Sequence, residues 1–231
     1  MTYSFDFSFL WDTAEGYPQD LLHGVLLTIQ MSLLAIVLGF VLGALCAVAR
    51  TSRSAILRSL MGIYVEIIRN TPLLVQTFWL FFGLAGLGFK LTAFTAAVIA
   101  LTVNVAAYTC EIIRAGIESI RKGQIEAGES LGFSRFRMLL DIVLPPAIER
   151  VLPALTSQFV LLLLGTSVMS QISAEELMAA ASRTQSSTFR GFEIYIVVAV
   201  IYLVLTVLLR LLVKGIAWIA FPRRRHLSTA I

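Results

Sequence analysis

Long stretches without a single charged side chain constrain this chain more than any other feature. Gly24–Val48, Asn70–Phe89, Leu91–Cys110 and Val151–Ala174 contain no Asp, Glu, Lys or Arg. A fifth stretch, 194–221, is interrupted only by Arg210 and Lys214, which sit near its end and can snorkel to the headgroups. A helix needs about 20 apolar residues to cross the hydrocarbon core, and lipid offers no partner for an unpaired backbone group. The runs therefore predict an all-α polytopic membrane protein with about five transmembrane helices. Composition agrees: 58% of residues are hydrophobic, 14% are charged, and mean hydropathy is +0.87. A soluble domain carries about a quarter charged residues. An ordinary soluble enzyme, a disordered tail and a disulfide-stapled secreted module are excluded. Residues 1–23 hold Asp6, Asp12, Glu15 and Asp20 but no Lys or Arg. Without a basic leader segment, the first run reads as a retained span rather than a signal peptide.

The cations set the expected orientation. With the N-terminus outside, all of the 18 Lys and Arg except Lys90, Arg183 and Arg190 fall on inner segments. The positive-inside rule favours that arrangement, N-out and C-in. The net charge of +4 is thus a matter of topology, and no nucleic-acid partner is expected. The chain divides into an outer amphipathic arm (1–22), a membrane domain (23–220) with an inner loop at 115–149, and an inner basic tail (221–231). Phe5, Phe7, Phe9, Leu10 and Trp11 are expected to lie along the outer interface. Residues 175–193 form an outer loop, and 56–70 an interfacial helix before the second span. Cys46 and Cys110 fall within apolar runs and read as small buried residues. No Cys/His set has metal-ligand spacing.

The inner loop is too polar to be buried in lipid and too long for a simple turn. Gln124–Leu131 is a good helix former that stops at Gly132, a residue suited to positive φ. Ser134 can cap a second short helix, Arg135–Leu144, closed by Pro145 and Pro146. The expected product is a fixed elbow of two short helices.

Polar residues inside the spans mark a candidate path. Asn104, Tyr108 and Glu111 share one helical face. Thr166, Ser167 and Ser170 recur at near-helical spacing in the fourth span. Such groups can bind the ammonium and carboxylate of a zwitterion, or equally bond between helices. Arg69 can pair with Glu66 or contact substrate, and Gln76 lies deeper in the second span. Glu175 either lines the entrance or belongs, with Glu176, to the acidic start of a short outer helix.

Glu126-Ala127-Gly128, then Gly132 after three residues, then Ile142-Val143-Leu144-Pro145 after nine, resembles the EAA signature of ABC-importer permease subunits. The one departure is Gly128, where a second alanine is usual. Arg69-Asn70-Thr71-Pro72-Leu73-Leu74-Val75-Gln76 and Thr166-Ser167 with Ser170, Glu175 and Leu177 resemble the polar amino-acid subfamily, the type with histidine and glutamine permeases. The resemblance covers about residues 20–220 and implies a type I importer-like transmembrane domain in a bacterial inner membrane. It implies a cytoplasmic ABC ATPase dimer, a second permease subunit of the same or a related kind, and a periplasmic substrate-binding protein. Glu126, Ala127, Gly128, Gly132, Ile142, Leu144 and Pro145 would then couple to the ATPase. The substrates implied are polar amino acids or relatives such as opines. No catalytic residue is expected. None of Lys90, Lys122 and Lys214 follows a glycine, so the chain has no P-loop and binds no cofactor; ATP would act through the partner. The competing class, an ion-coupled secondary transporter, calls for internal repeats and a carboxylate deep in a span. An intramembrane serine enzyme lacks a base near Ser167.

Overall fold

The structure is a computed structural model that describes residues 5–11, 15–52, 54–120, 122–134 and 137–220. The tail 221–231 and Arg53, Arg121 and Arg135 lie outside the described residues. Among those described there is no strand. Eight helices follow in order: α1 (Tyr17–Arg50), α2 (Ala55–Arg69), α3 (Leu73–Gly86), α4 (Ala93–Glu118), α5 (Lys122–Ser130), α6 (Leu144–Gly165), α7 (Leu177–Thr188) and α8 (Gly191–Ala220). Four helical stretches are long and apolar enough to cross a membrane: α1, α4, α8 and the run Asp141–Ile172 that contains α6. The expected second span is shorter. As α3 it reaches about 21 Å against a core of about 30 Å, and a π-helical segment, Trp79–Gly83, interrupts it.

Local chemistry sets the helix starts. Ser54 accepts a hydrogen bond from the Leu57 N–H to begin α2, and Thr92 accepts one from Thr95 to begin α4. α2 buries Val65, packs Met61, Tyr64 and Ile68 beside it, and exposes Ile56, Leu60, Ile63 and Ile67, as an interfacial helix does. α1 begins at Tyr17, six residues before the expected boundary, with Pro18 in its first turn, where a missing N–H costs nothing.

The core centres on α1 against α4. α1 turns Gly24, Thr28, Ser32, Ala35, Gly39, Gly43 and Ala47 inward, and α4 answers with Ala96, Ala97, Ala100, Val105, Ala106 and Ala107. Two small-residue faces let the backbones approach closely, which is how helices gain packing energy where lipid supplies no hydrophobic drive. Cys46 and Cys110 are free, buried thiols in the same seam.

Four expectations need correction. Pro145 and Pro146 do not close a helix. They sit in the first turn of α6, directly after a π-helical segment, Met138–Val143, so the run continues across them. The wider π turn and the first-turn position absorb the absent donors. The aromatic arm is not wholly interfacial: Phe9 is 4% exposed and joins the main core, while Trp11 is 81% exposed. The outer loop 175–193 is mostly the helix α7. Finally, Glu66 does not pair with Arg69; it accepts from Asn70 Nδ2 at 3.0 Å, and Arg69 turns toward α4.

Candidate functional site

Three regions carry the candidate residues: a polar ribbon between α2–α3 and α4, a joint where α7 begins, and the elbow between α4 and α6. The ion pairs sort them by end. Arg50 pairs with Glu111 at the elbow end, whereas Asp20 pairs with Arg183 and Asp6 with Arg190 at the far end.

The ribbon assembles five of the expected path residues. Asn104 Nδ2 donates to Gln76 Oε1 at 3.1 Å, linking α4 to α3. Gln76 Nε2 in turn donates to the Ile68 carbonyl (2.8 Å) and to Thr71 Oγ1 (2.8 Å), holding the turn between α2 and α3. One turn further along α4, the Tyr108 ring lies under the Arg69 guanidinium, 5.3 Å from its carbon. Glu111 accepts from Arg50 and from Arg114 (2.8 Å), and Arg69 stands 3.9 Å away. Arg114 also holds Glu118 at 2.6 Å. Three arginines thus surround one carboxylate, 16% exposed, at the mouth of the ribbon. A mostly apolar groove of about 300 Å³ opens beside Gln76, lined also by Ile67, Ile68, Trp79, Leu80 and Val103.

The hydroxyls of the fourth span do not join this ribbon through hydrogen bonds. Thr166 donates to the Leu163 carbonyl, Ser167 to Leu164 and Ser170 to Ser167, each within its own turn. They lie on a 3₁₀ segment, Thr166–Ile172, which is longer than such helices usually run. It ends at Ser173 with φ +62°. Glu175 is exposed.

Its neighbour Glu176 is fully buried and caps α7. Oε2 accepts from the Met178 N–H and from Tyr202 of α8, both at 2.9 Å, and Oε1 from the Ala179 N–H at 2.9 Å. The Leu177 N–H donates to Thr28 Oγ1 of α1 at 3.2 Å. One glutamate therefore fastens α7 to α8 beside its contact with α1. Burial pushes its carboxyl above the ordinary value, although every one of these contacts pulls the other way. The arm docks at the start of α8. Asp6 pairs with Arg190 at 2.8 Å, and its N–H donates to Glu193, which is fully buried. Phe5 meets Phe192 edge-on.

In the elbow, α5 ends with Gly132 at φ +76°. The Phe133 N–H reaches the Gly128 carbonyl (3.1 Å) and the Gly132 N–H the Glu129 carbonyl (3.0 Å), the paired bonds of a left-handed helix stop. Glu126, Ala127 and Gly132 are exposed. Gly128 is buried: a methyl group there would stand 2.7 Å from Ile142 Cδ1. Its small size serves closure of the elbow on itself. Arg150 donates to the Ser119 carbonyl at 2.6 Å and to its hydroxyl at 2.9 Å, tying together the two roots of the elbow. Among the described residues no group of three His, Cys, Asp or Glu is placed to hold a metal.

The family model for the binding-protein-dependent transport system inner membrane component matches residues 39–217. The chain belongs to this family. A probable glutamine ABC transporter permease protein, GlnM, of Bacillus subtilis is 42% identical over 87% of this chain and 91% of its own length. The nopaline transport system permease protein NocM of Agrobacterium fabrum is 37% identical over 91% of each chain. A solved amino acid ABC transporter, crystallised with histidines, superposes with a TM-score of 0.83 at 35% identity, covering 93% of this chain and 98% of that one. The protein is thus the transmembrane permease subunit of an ABC importer, not an enzyme. Membership implies a partner ATPase that uses ATP and a substrate-binding protein.

Sequence reasoning about this permease missed Arg50, the burial of Glu176 and Glu193, and the role of Tyr202. Arg50 carried a signal: it ends a charge-free span at the same membrane edge as Glu111. The burial of Glu176 carried none, because its partners lie on other helices.

Proposed function

We propose that this permease pairs with a second permease subunit in the inner membrane and moves polar amino acids or opines into the cytoplasm. Its N-terminus faces outward and its elbow faces the ATPase. Two of the relatives above are named for glutamine and nopaline, both of which carry an amino-acid ammonium and carboxylate. The polar ribbon suits such a molecule. Gln76 and Asn104 present both donors and acceptors, Arg69 and Arg114 meet a carboxylate, and Glu111 meets an ammonium. These five residues and Tyr108 are the path residues of the proposal. Thr166, Ser167 and Ser170 shape the fourth span, and Glu175 faces the substrate-binding protein.

The elbow carries this reading. A helix stopped by a left-handed glycine, clamped at its roots by Arg150 and presenting Glu126, Ala127 and Gly132 to water is a rigid handle for a separate motor. Gly128, Ile142, Leu144 and Pro145 keep its shape. The test is uptake by the full complex reconstituted with its ATPase and binding protein. Glu126→Lys and Gly132→Pro should abolish uptake and ATPase retention while the permease still inserts. Normal uptake in both variants would overturn the coupling assignment. Asn104→Leu should alter substrate kinetics with assembly intact; unchanged kinetics would make that bond purely structural.

A further inference from the structure

At the elbow end of the membrane domain, a groove of about 420 Å³ lies between α6 and α8. Pro153, Thr156 and Ser157 form one wall; Arg210, Val213 and Lys214 form the other. Arg210 and Lys214 are one helical turn apart on the same face and both are exposed. Among the described residues neither has a carboxylate within ion-pair reach. That sets them apart from the other arginines of the spans. Arg50 and Arg114 share Glu111, and Arg150 is held by Ser119. A charge in a membrane span without a protein partner is costly, so a ligand or headgroup must meet it.

Position along the helix says what meets it. Measured from Gly191, Arg210 lies about 29 Å along α8, at the edge of a core about 30 Å thick. Lys214 is one turn beyond, at headgroup depth, and Trp218, 58% exposed, follows where aromatic side chains collect. Leu152, Pro153, Val213 and Ala217 give the groove an apolar lining beside its polar groups, which suits an acyl chain. On the opposite wall, Thr156 spends its proton on the Leu152 carbonyl (2.7 Å), whereas Ser157 is exposed with no protein partner among the described residues. Two cations and a free hydroxyl at phosphate depth, with apolar side chains beside them in the same groove, match a phosphodiester that bears acyl chains.

We propose that this groove binds the headgroup phosphate of an anionic phospholipid, with Arg210 and Lys214 as counter-charges and Ser157 as hydrogen-bond donor. A lipid there wedges α6 and α8 apart at the roots of the transport machinery. A free phosphate shares the headgroup chemistry but has no use for the apolar lining.

The complete complex, purified and placed in nanodiscs of phosphatidylglycerol or of phosphatidylcholine, provides the test. Native mass spectrometry after release reads the lipid retained. Both leaflets carry the same lipid, so the result does not depend on which way the chain faces. Phosphatidylglycerol should be retained and phosphatidylcholine lost. The double variant Arg210→Gln/Lys214→Gln should retain about tenfold to thirtyfold less, the loss expected for two interfacial cations. Lys90→Gln, a cation outside the groove, serves as the control and should retain phosphatidylglycerol as the parent does. Equal retention of the two lipids, or undiminished retention by the double variant, would overturn the site. Displacement of the lipid by inorganic phosphate would assign the groove to the free anion and overturn the lipid reading. If the assembled partner subunit covers the groove, no lipid is retained and the proposal fails.

Discussion

At Gly43, in the seam between α1 and α4, a methyl group would stand 2.6 Å from Thr109 Cβ and 2.7 Å from the Ala106 carbonyl. At Gly132, in the elbow, it would meet nothing within 4 Å, yet the backbone there holds φ at +76°. One glycine exists for space, the other for conformation. The seam excludes any side chain because two backbones need to touch; the elbow tolerates bulk around it but fixes a turn. The first arrangement makes stability and the second makes shape. A membrane transporter needs both, in different places.

The sharpest way to break the contrast is Gly43→Leu. The clash is with backbone and with a branched Cβ, neither of which can swing aside, so overpacking should cost about 3 kcal/mol or more. Thermal unfolding of the solubilised complex should show a collapsed midpoint and little assembled protein. A near-parental midpoint would mean that the helices part easily. Next comes Glu176→Ala. It strands the Met178 and Ala179 N–H groups and the Tyr202 hydroxyl in a buried site, at a cost of about 2 kcal/mol.

The same glutamate has a pH signature. Its folded pKa is raised by burial, so its contribution to stability is fully present below the unfolded pKa and is lost as pH rises through the folded one. Glu176→Gln removes that dependence. The stability of the variant relative to the parent should therefore climb with pH from the ordinary carboxylate range upward. A flat difference across that range would show that the three donors keep the carboxylate ionised at no net cost.

The elbow should respond in the opposite sense. Gly132→Ala places a Cβ in the left-handed region at a local cost of about 1 kcal/mol. Uptake should fall several-fold while the thermal midpoint stays put. A drop in midpoint equal to that of a seam variant would erase the distinction. Gly128→Ala should have the smallest effect. The nearest atom is the end of the flexible Ile142 side chain, which can turn away. Uptake within twofold of the parent is the expected reading.

Much of this organisation was legible in the residues, and the boundary of legibility is physical. The uncharged runs announced the long helices because lipid penalises charge locally, one residue at a time. Gly132 was readable as a helix stop because αL geometry is a property of a single residue. Asn104, Tyr108 and Glu111 were readable as one face because helical period is local. Partners were not readable. Nothing near Glu176 in the chain foretells Tyr202 or Thr28, and nothing near Phe9 foretells the core it enters. Pro145 and Pro146 misled because proline stops a helix only where its N–H is needed, and a preceding π turn removes the need. The second apolar helix is shorter than its charge-free run because that run includes the Thr71-Pro72 turn and a loose end at Gly86–Phe89.

The continuity of the run Asp141–Ile172 across two prolines has its own consequence. It joins the elbow to the Glu176 joint through about 48 Å of unbroken helical backbone, π-helical at its start, 3₁₀ at its end and with Pro153 inside it. A displacement at one end is passed to the other by backbone hydrogen bonds, and Pro153 marks the place where that ladder is one bond short.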